Sequence, residues 1–269
     1  MRLSETVLIV LLFKKQKGKD MQLHLQLDAK NVRLPLSHRY ALQGMLYHAL
    51  ETDPYYARQI HDRGFSNGSR NYKLFTFGRL SGPYYHRTKE IIFKNIVNFE
   101  IRSVDPNLIY ALGKALRPGN TVHLFENTAQ ILNSRIEDFR PNTEYAEISM
   151  QSPITVFNTD RNGRRNFYTP TDMQFYTAVV SNALNKWNSY FHASVPDAGF
   201  SFEPAMPPDE IFNRHRIVSK FKRSRNIAYG GCYCLRGDGR LINFLYDAGL
   251  GAKNSQGLGM FKIDYIPDL

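Results

Sequence analysis

Gly249, Gly251, Gly257 and Gly259 bracket Lys253, Asn254 and Ser255 near the end of the chain. Glycine admits positive φ and close backbone approach, so a loop of this composition can turn several amide N–H groups toward one anion. Phosphate is the anion such a cradle suits. A dinucleotide fingerprint would need a crossover helix after it, and only one strand's length of chain follows. The Gly-Lys-Ser/Thr ending of a P-loop is also missing. A plain surface loop is the alternative. Four glycines around a polar centre, each costing about 0.5–1 kcal/mol to order, favour a built loop.

A second cluster is cationic. Arg214, Arg216, Lys220, Lys222, Arg223 and Arg225 form the densest basic run of the chain. In an extended segment Arg214, Arg216, Lys220 and Lys222 would share a face and line a groove for backbone phosphates. A solvated cationic face is the alternative. Arg161, Arg164 and Arg165 flank the turn signal Asn162-Gly163, predicting a basic hairpin that reaches the same partner.

Composition agrees with a polyanion. Of 269 residues, 35 are lysine or arginine and 24 aspartate or glutamate, a net charge of +11, and 13% are aromatic. Basic grooves with stacking rings are common among RNA readers. No His-Glu-x-x-His, paired Cys-x-x-Cys or calcium loop occurs, so no metal site and no cofactor are expected. Without a Gly-x-Ser-x-Gly elbow, ester or amide hydrolysis has no support either. Cys232 and Cys234 are the only cysteines; they predict core packing in a reducing, cytoplasmic setting.

Residues 1–20 hold the apolar run Val7–Phe13, too short to span a membrane, followed by Lys14, Lys15, Lys17 and Lys19. They are expected to be an upstream extension, with Met21 as the natural start. Removing them takes five basic and two acidic residues and leaves +8.

The elements that must position these clusters follow from periodicity. Met21–Leu27 alternates as a strand, and Leu42, Met45, Leu46, Ala49 and Leu50 give a helix over about Tyr40–Glu51, with Ser37 as its cap and Tyr47 off its stripe. Pro54 opens a short helix ending near His61. Strands are expected at Tyr72–Phe77 and Glu90–Ile101, a helix at Pro106–Leu116, and extended chain from Thr121 to Ile136. The order is βα(α)ββαβ, a ferredoxin-like unit. After a polar linker at Glu137–Tyr145 the pattern repeats less cleanly, with a long helix at Thr171–Phe191, extended chain at Arg214–Phe221, a short helix at Arg240–Ala248 and a last strand. The expected domains are residues 21–140 and 145–269, α+β throughout.

Three segments resemble one known family, the CRISPR-associated repeat-RNA endoribonucleases (Cas six) of the repeat-associated RNA-binding superfamily. They are Ser37–Tyr47, with its Leu42-Gln43-Gly44; Ile60-His61-Asp62 with Lys73–Phe77; and the glycine-rich loop Gly249–Gly259. The resemblance implies two tandem ferredoxin-like (RRM-like) folds and metal-free cutting of CRISPR repeat RNA, the precursor crRNA. In that reaction the ribose 2′-hydroxyl attacks the neighbouring phosphate, leaving a 2′,3′-cyclic phosphate. It further implies Tyr47 as base or hydroxyl-orienting group, His61 as general acid and Lys73 as the cation for the crowded phosphorane. Histidine titrates near neutrality, which suits the acid role, whereas a phenol near pH 10 is a poor unassisted base. Gly249, Gly251, Lys253, Asn254, Ser255, Gly257 and Gly259 would join the basic run in holding RNA. A monomer or homodimer, with a CRISPR interference complex as further partner and no membrane, completes the expectation. Two alternatives stay open: a non-catalytic RNA-binding module of the same superfamily, and a phosphate-metabolite enzyme using the glycine loop.

Overall fold

The computed structural model describes residues 21–51, 64–68, 70–193, 195, 199–221 and 224–266. The extension over residues 1–20, the helix expected after Pro54, and His61, Lys222 and Arg223 lie outside them.

The first half begins with β1 (Gln22–Asp28), whose Leu23, Leu25 and Leu27 all point into the core, as the alternation requires. Helix α1 (Arg39–Leu50) follows the short β2 (Arg33–Pro35) and buries Leu42, Met45, Leu46, Ala49 and Leu50. Its N-cap is His38 rather than Ser37, with no side-chain cap bond. A hairpin of β3 (Phe65–Asn67) and β4 (Arg70–Tyr72) precedes β5 (Phe75–Phe77). Next come β6 (Tyr84–Arg87), β7 (Glu90–Phe93) and β8 (Ile96–Ser103). Helix α2 (Pro106–Ala115) starts on Pro106, and the Asp105 carboxylate caps it by accepting from the Asn107 amide at 3.0 Å. The half closes with β9 (Thr121–Leu124) and β10 (Asn127–Glu137).

The main sheet runs β5-β8-β1-β10-β9, every pair antiparallel. With α1 and α2 this is a βαββαβ unit, in which β1 and β5 are separated by β8. Strands β2, β7 and β6 make a small separate sheet.

The second half uses the same plan. Strand β11 (Tyr145–Met150) leads through the hairpin β12 (Phe157–Thr159) and β13 (Arg165–Phe167) into helix α3 (Met173–Phe191). Strand β14 (Ser201–Pro204) and helix α4 (Pro208–Arg214) lead into a second hairpin, β15 (Arg216–Phe221) with β16 (Ser224–Tyr229). Strand β17 (Cys232–Arg236), helix α5 (Gly239–Ala248) and β18 (Phe261–Tyr265) finish the fold. The sheet order β14-β17-β11-β18 matches β5-β8-β1-β10 of the first sheet position for position, with no counterpart of the edge strand β9 among the described residues. The molecule is therefore a tandem ferredoxin-like protein of the α+β class.

Two apolar clusters fill the halves, and the sequence boundary is not a clean cut. Leu74 and Val104 of the first half pack into the second cluster. Polar bonds tie the halves as well. The buried Asp247 carboxylate accepts from Gln22 at 2.7 Å and from Arg140 at 2.5 Å, and Arg102, 1% exposed, donates to the Phe261 carbonyl at 2.7 Å. Pairing of this kind offsets the cost of burying charge.

The cysteine expectation is corrected. Cys232 is exposed and Cys234 half-buried, because Tyr233 and Leu235 take the inward positions of β17. Alternation put both thiols on one face, as expected, but the bulkier neighbours claim the core.

Candidate active site

The face of α1 that carries Gln43 and Tyr47, one turn apart, looks onto the glycine-rich loop. Gln43 Nε2 donates to the Ser255 carbonyl at 2.6 Å and lies 3.3 Å from the Tyr47 hydroxyl. Tyr47 is half-buried, its ring resting against the first core. Lys73 Nζ donates to the Tyr47 hydroxyl at 3.1 Å and lies 5.3 Å from the ring centroid.

Lys73 owes its place to a break in the chain. The strand expected over Tyr72–Phe77 is split, since Leu74 has φ +44°. Its side chain drops into the second core, and its carbonyl accepts from the Val104 amide at 3.2 Å and the Ser103 hydroxyl at 3.3 Å. A leucine in the left-handed region costs about 1–2 kcal/mol, which this burial of about 1.5–3 kcal/mol offsets.

The loop after α5 is equally determined. Gly249, Gly251, Gly257 and Gly259 all have positive φ and are buried. A β-carbon on Gly251 would stand 2.6 Å from the Thr155 carbonyl oxygen, and one on Gly259 would run into the Leu250 carbonyl. Asn254 Nδ2 staples the loop by donating to Leu250 and Leu258 carbonyls at 2.8 and 2.9 Å. Many loop amides are used internally: those of Leu250, Ala252, Gln256, Gly257 and Gly259 bond Gly259, Thr155, Lys253, Asn254 and Pro153 carbonyls. The glycines thus shape the loop, and the half-exposed Lys253, Ser255 and Gln256 present its surface.

A cavity of about 540 Å³ opens between these elements. Arg70, Lys73 and Lys253 line it together with Gln43, Asn182, Phe157 and the loop, as does the buried Lys186, whose ammonium is taken up by the Gly249 carbonyl, and none of its described lining residues is a carboxylate. Lys253 Nζ lies 5.8 Å from the Phe157 ring centroid and the Arg165 guanidinium 5.3 Å from the same ring. Burial, then repulsion from Arg165 and Lys73, lowers the Lys253 pKa. A site that crowds cations at this cost is complementary to a polyanion.

Comparison with known proteins bears on this geometry. Residues 136–263 match the family model described as CRISPR associated protein Cas6, C-terminal. The chain is 26% identical to CRISPR-associated endoribonuclease Cas6 1 of Methanocaldococcus jannaschii, covering 89% of this chain and 91% of that one. It is 22% identical to CRISPR-associated endoribonuclease Cas6 of Pyrococcus furiosus, covering 86% and 84%. The chain resembles the Cas6 family. Solved structures share its fold. One is described as an RAMP protein binding different RNA substrates (TM-score 0.77, 18% identity, 91% and 100% covered), another as a Cas6-related protein from P. furiosus (TM-score 0.76, 17% identity, 91% and 98% covered).

Within this fold, the sequence-predicted residues fall into groups. Tyr47, Lys73, Lys253, Asn254 and Ser255 gather at the cavity and its rim, with Arg165 beside them. His61 lies outside the described residues. Arg214 is not on the extended run: it ends α4 and pairs with Glu210 at 3.0 Å, because Pro208 starts a helix there. Arg216 and Arg225 are exposed on the β15–β16 hairpin, where Lys220 pairs in register with Arg225. Arg164 is exposed at the turn of the β12–β13 hairpin. Sequence reasoning gave Gln43 and Lys186 no role. Lys186 left a readable signal, a lysine in helical phase with the apolar Phe175, Val179 and Ala183.

Proposed function

We propose that this protein is a metal-independent endoribonuclease that cuts CRISPR repeat RNA within precursor crRNA. The observation that carries the reading is the Lys73–Tyr47 contact of 3.1 Å at the rim of a cation-lined cavity closed by the glycine-rich loop. Its similarity to the Cas6 relatives above, which are named endoribonucleases, supports it.

The chemistry is an internal transesterification. The ribose 2′-oxygen attacks the adjacent phosphorus, the bond from phosphorus to the 5′-oxygen breaks, and that oxygen takes a proton. The products are a 2′,3′-cyclic phosphate and a 5′-hydroxyl. The Tyr47 oxygen faces donors from Lys73 and Gln43, which leaves its own hydrogen to point at substrate. That arrangement favours an orienting part for Tyr47, holding the ribose or a phosphate oxygen in line. Lys73 supplies positive charge where the phosphorane accumulates negative charge, the kind of preorganised term that dominates many such reactions. His61 is the proposed acid for the leaving oxygen. Lys253, Arg165 and the β15–β16 hairpin with Arg216 and Arg225 hold the RNA backbone on either side.

Incubating the protein with end-labelled repeat RNA in excess EDTA tests the reading. A single cut bearing a 2′,3′-cyclic phosphate is the expected result, and replacing the ribose at that position by deoxyribose should stop it. Tight binding with no cut would instead make the protein an RNA-holding module.

A further inference from the structure

Lys186 lies in the middle of α3 and is 2% exposed. Its ammonium donates to the Gly249 carbonyl at 2.6 Å, and burial, with no carboxylate among the described residues to offset it, lowers its pKa well below that of an ordinary lysine. A buried cation held by one neutral partner is costly, so its retention calls for a reason.

The bonds leading away from it supply one. Gly249 is the residue at which α5 ends and the loop begins, with φ +77°. It is wedged so closely that an added β-carbon would stand 2.7 Å from Asn254 Nδ2 and 3.1 Å from Thr76. Asn254 fixes the loop through the Leu250 and Leu258 carbonyls, and the Thr76 hydroxyl bonds the Leu258 carbonyl from the other side at 3.1 Å. The next residue, Ser255, accepts from Gln43, which reaches Tyr47, which accepts from Lys73.

We propose that Lys186 is a positioning residue: by anchoring the Gly249 carbonyl it sets the register of the glycine-rich loop, and through Ser255 and Gln43 the placement of Tyr47 and Lys73. Its ammonium also sits at the C-terminal end of α5, where a cation complements the helix dipole. A merely structural lysine would be needed for folding but would leave the reacting groups where they are. The effect on cutting rests on the endoribonuclease reading, whereas the effect on the loop does not.

Lys186→Met keeps the stem and removes the donor. In hydrogen exchange, amides of residues 250–259 should exchange at least 10-fold faster than in the unsubstituted protein while α3 keeps its protection. On repeat RNA, the single-turnover rate should fall on the order of 10- to 100-fold, and the Kd for a repeat with deoxyribose at the cut should change less than 3-fold. If Lys186→Met unfolds, Thr76→Val, which loosens the loop from its other side, should give the same split between rate and affinity. Unchanged loop exchange overturns the proposal. So does a rate loss matched by an equal loss of affinity. A loosened loop in a protein that cuts no repeat RNA would sink the enzyme reading and leave the positioning role of Lys186 standing.

Discussion

At the scale of single residues, the site is a set of cations and neutral hydrogen-bonding groups rather than acids. Lys73 and Gln43 converge on one phenol oxygen, and Arg70, Lys73 and Lys253 share one cavity. His61→Ala should slow cutting by about 10²–10⁴-fold, the usual worth of one positioned acid, with affinity for an uncleavable repeat nearly intact. Tyr47→Phe keeps the ring and removes the acceptor of Lys73, so a loss of at least about 10-fold is expected, as a hydrogen bond to a charged group is worth roughly 1.5–3 kcal/mol. Single-turnover kinetics beside a binding titration separates the two. Wild-type speed in His61→Ala would remove that residue from the mechanism.

At the scale of elements, the glycine-rich loop is a rigid part. Its glycines are needed because backbone carbonyls and side chains occupy the space a β-carbon would take. Gly259→Ala combines φ +81° with a collision against the Leu250 carbonyl. It should destabilise the fold by at least about 2 kcal/mol, since strained backbone positions cost of order 1–3 kcal/mol before any clash. Urea unfolding gives the number, and an unchanged midpoint would mean the loop yields more easily than its bonding implies. The basic hairpin β15–β16 is built differently, as a two-stranded ribbon that is tied down at its base, where Tyr229 bridges to Ile154, and that leaves Ile217 and Val218 exposed. Two-stranded ribbons gain little stability alone, which suits an element completed by a partner.

At the scale of the whole molecule, the two folds are joined through buried charge. The buried Gln22 from the first half and the partly exposed Arg140 from the connection meet the buried Asp247 of the second. Burial, acting against Arg140, Gln22 and Arg102, pushes the Asp247 carboxyl up to about 7. Its folded-state pKa therefore lies above the unfolded value near 3.9, and the folded state holds the proton more tightly between them. The contribution of Asp247 to stability is fullest below about pH 4 and is lost as pH rises toward 7, by up to roughly 4 kcal/mol over that window. Asp247→Asn should flatten this slope. Equal pH dependence of unfolding in the two proteins would show that Asp247 titrates as an ordinary carboxylate. No helix among the described residues is long and apolar enough to cross a membrane.

Much of this was legible in the residues themselves. Alternation in Gln22–Asp28, the stripe of Leu42, Met45, Leu46, Ala49 and Leu50, and the Asp105-Pro106 start of α2 are local signals, written at periods of 2 and 3.6. They were enough to order the first half into a ferredoxin-like unit; the second half repeated the pattern less cleanly, and the tandem pair came from the family resemblance. The density of basic residues pointed to a polyanion, and the four glycines marked a built loop. What local signals cannot carry is contact between segments far apart in the chain. Lys73 meets Tyr47 because Leu74 abandons its own strand for a core made by the other half. Lys186 reaches Gly249 across 63 residues, and Gln43 reaches Ser255 across 212. Cys232 and Cys234 faced outward for the same kind of reason: Tyr233 and Leu235 fit the interior better, and only the packed sheet could choose between the two faces. Periodicity determines which residues can share a surface; the tertiary structure decides which surface that is and what stands opposite it.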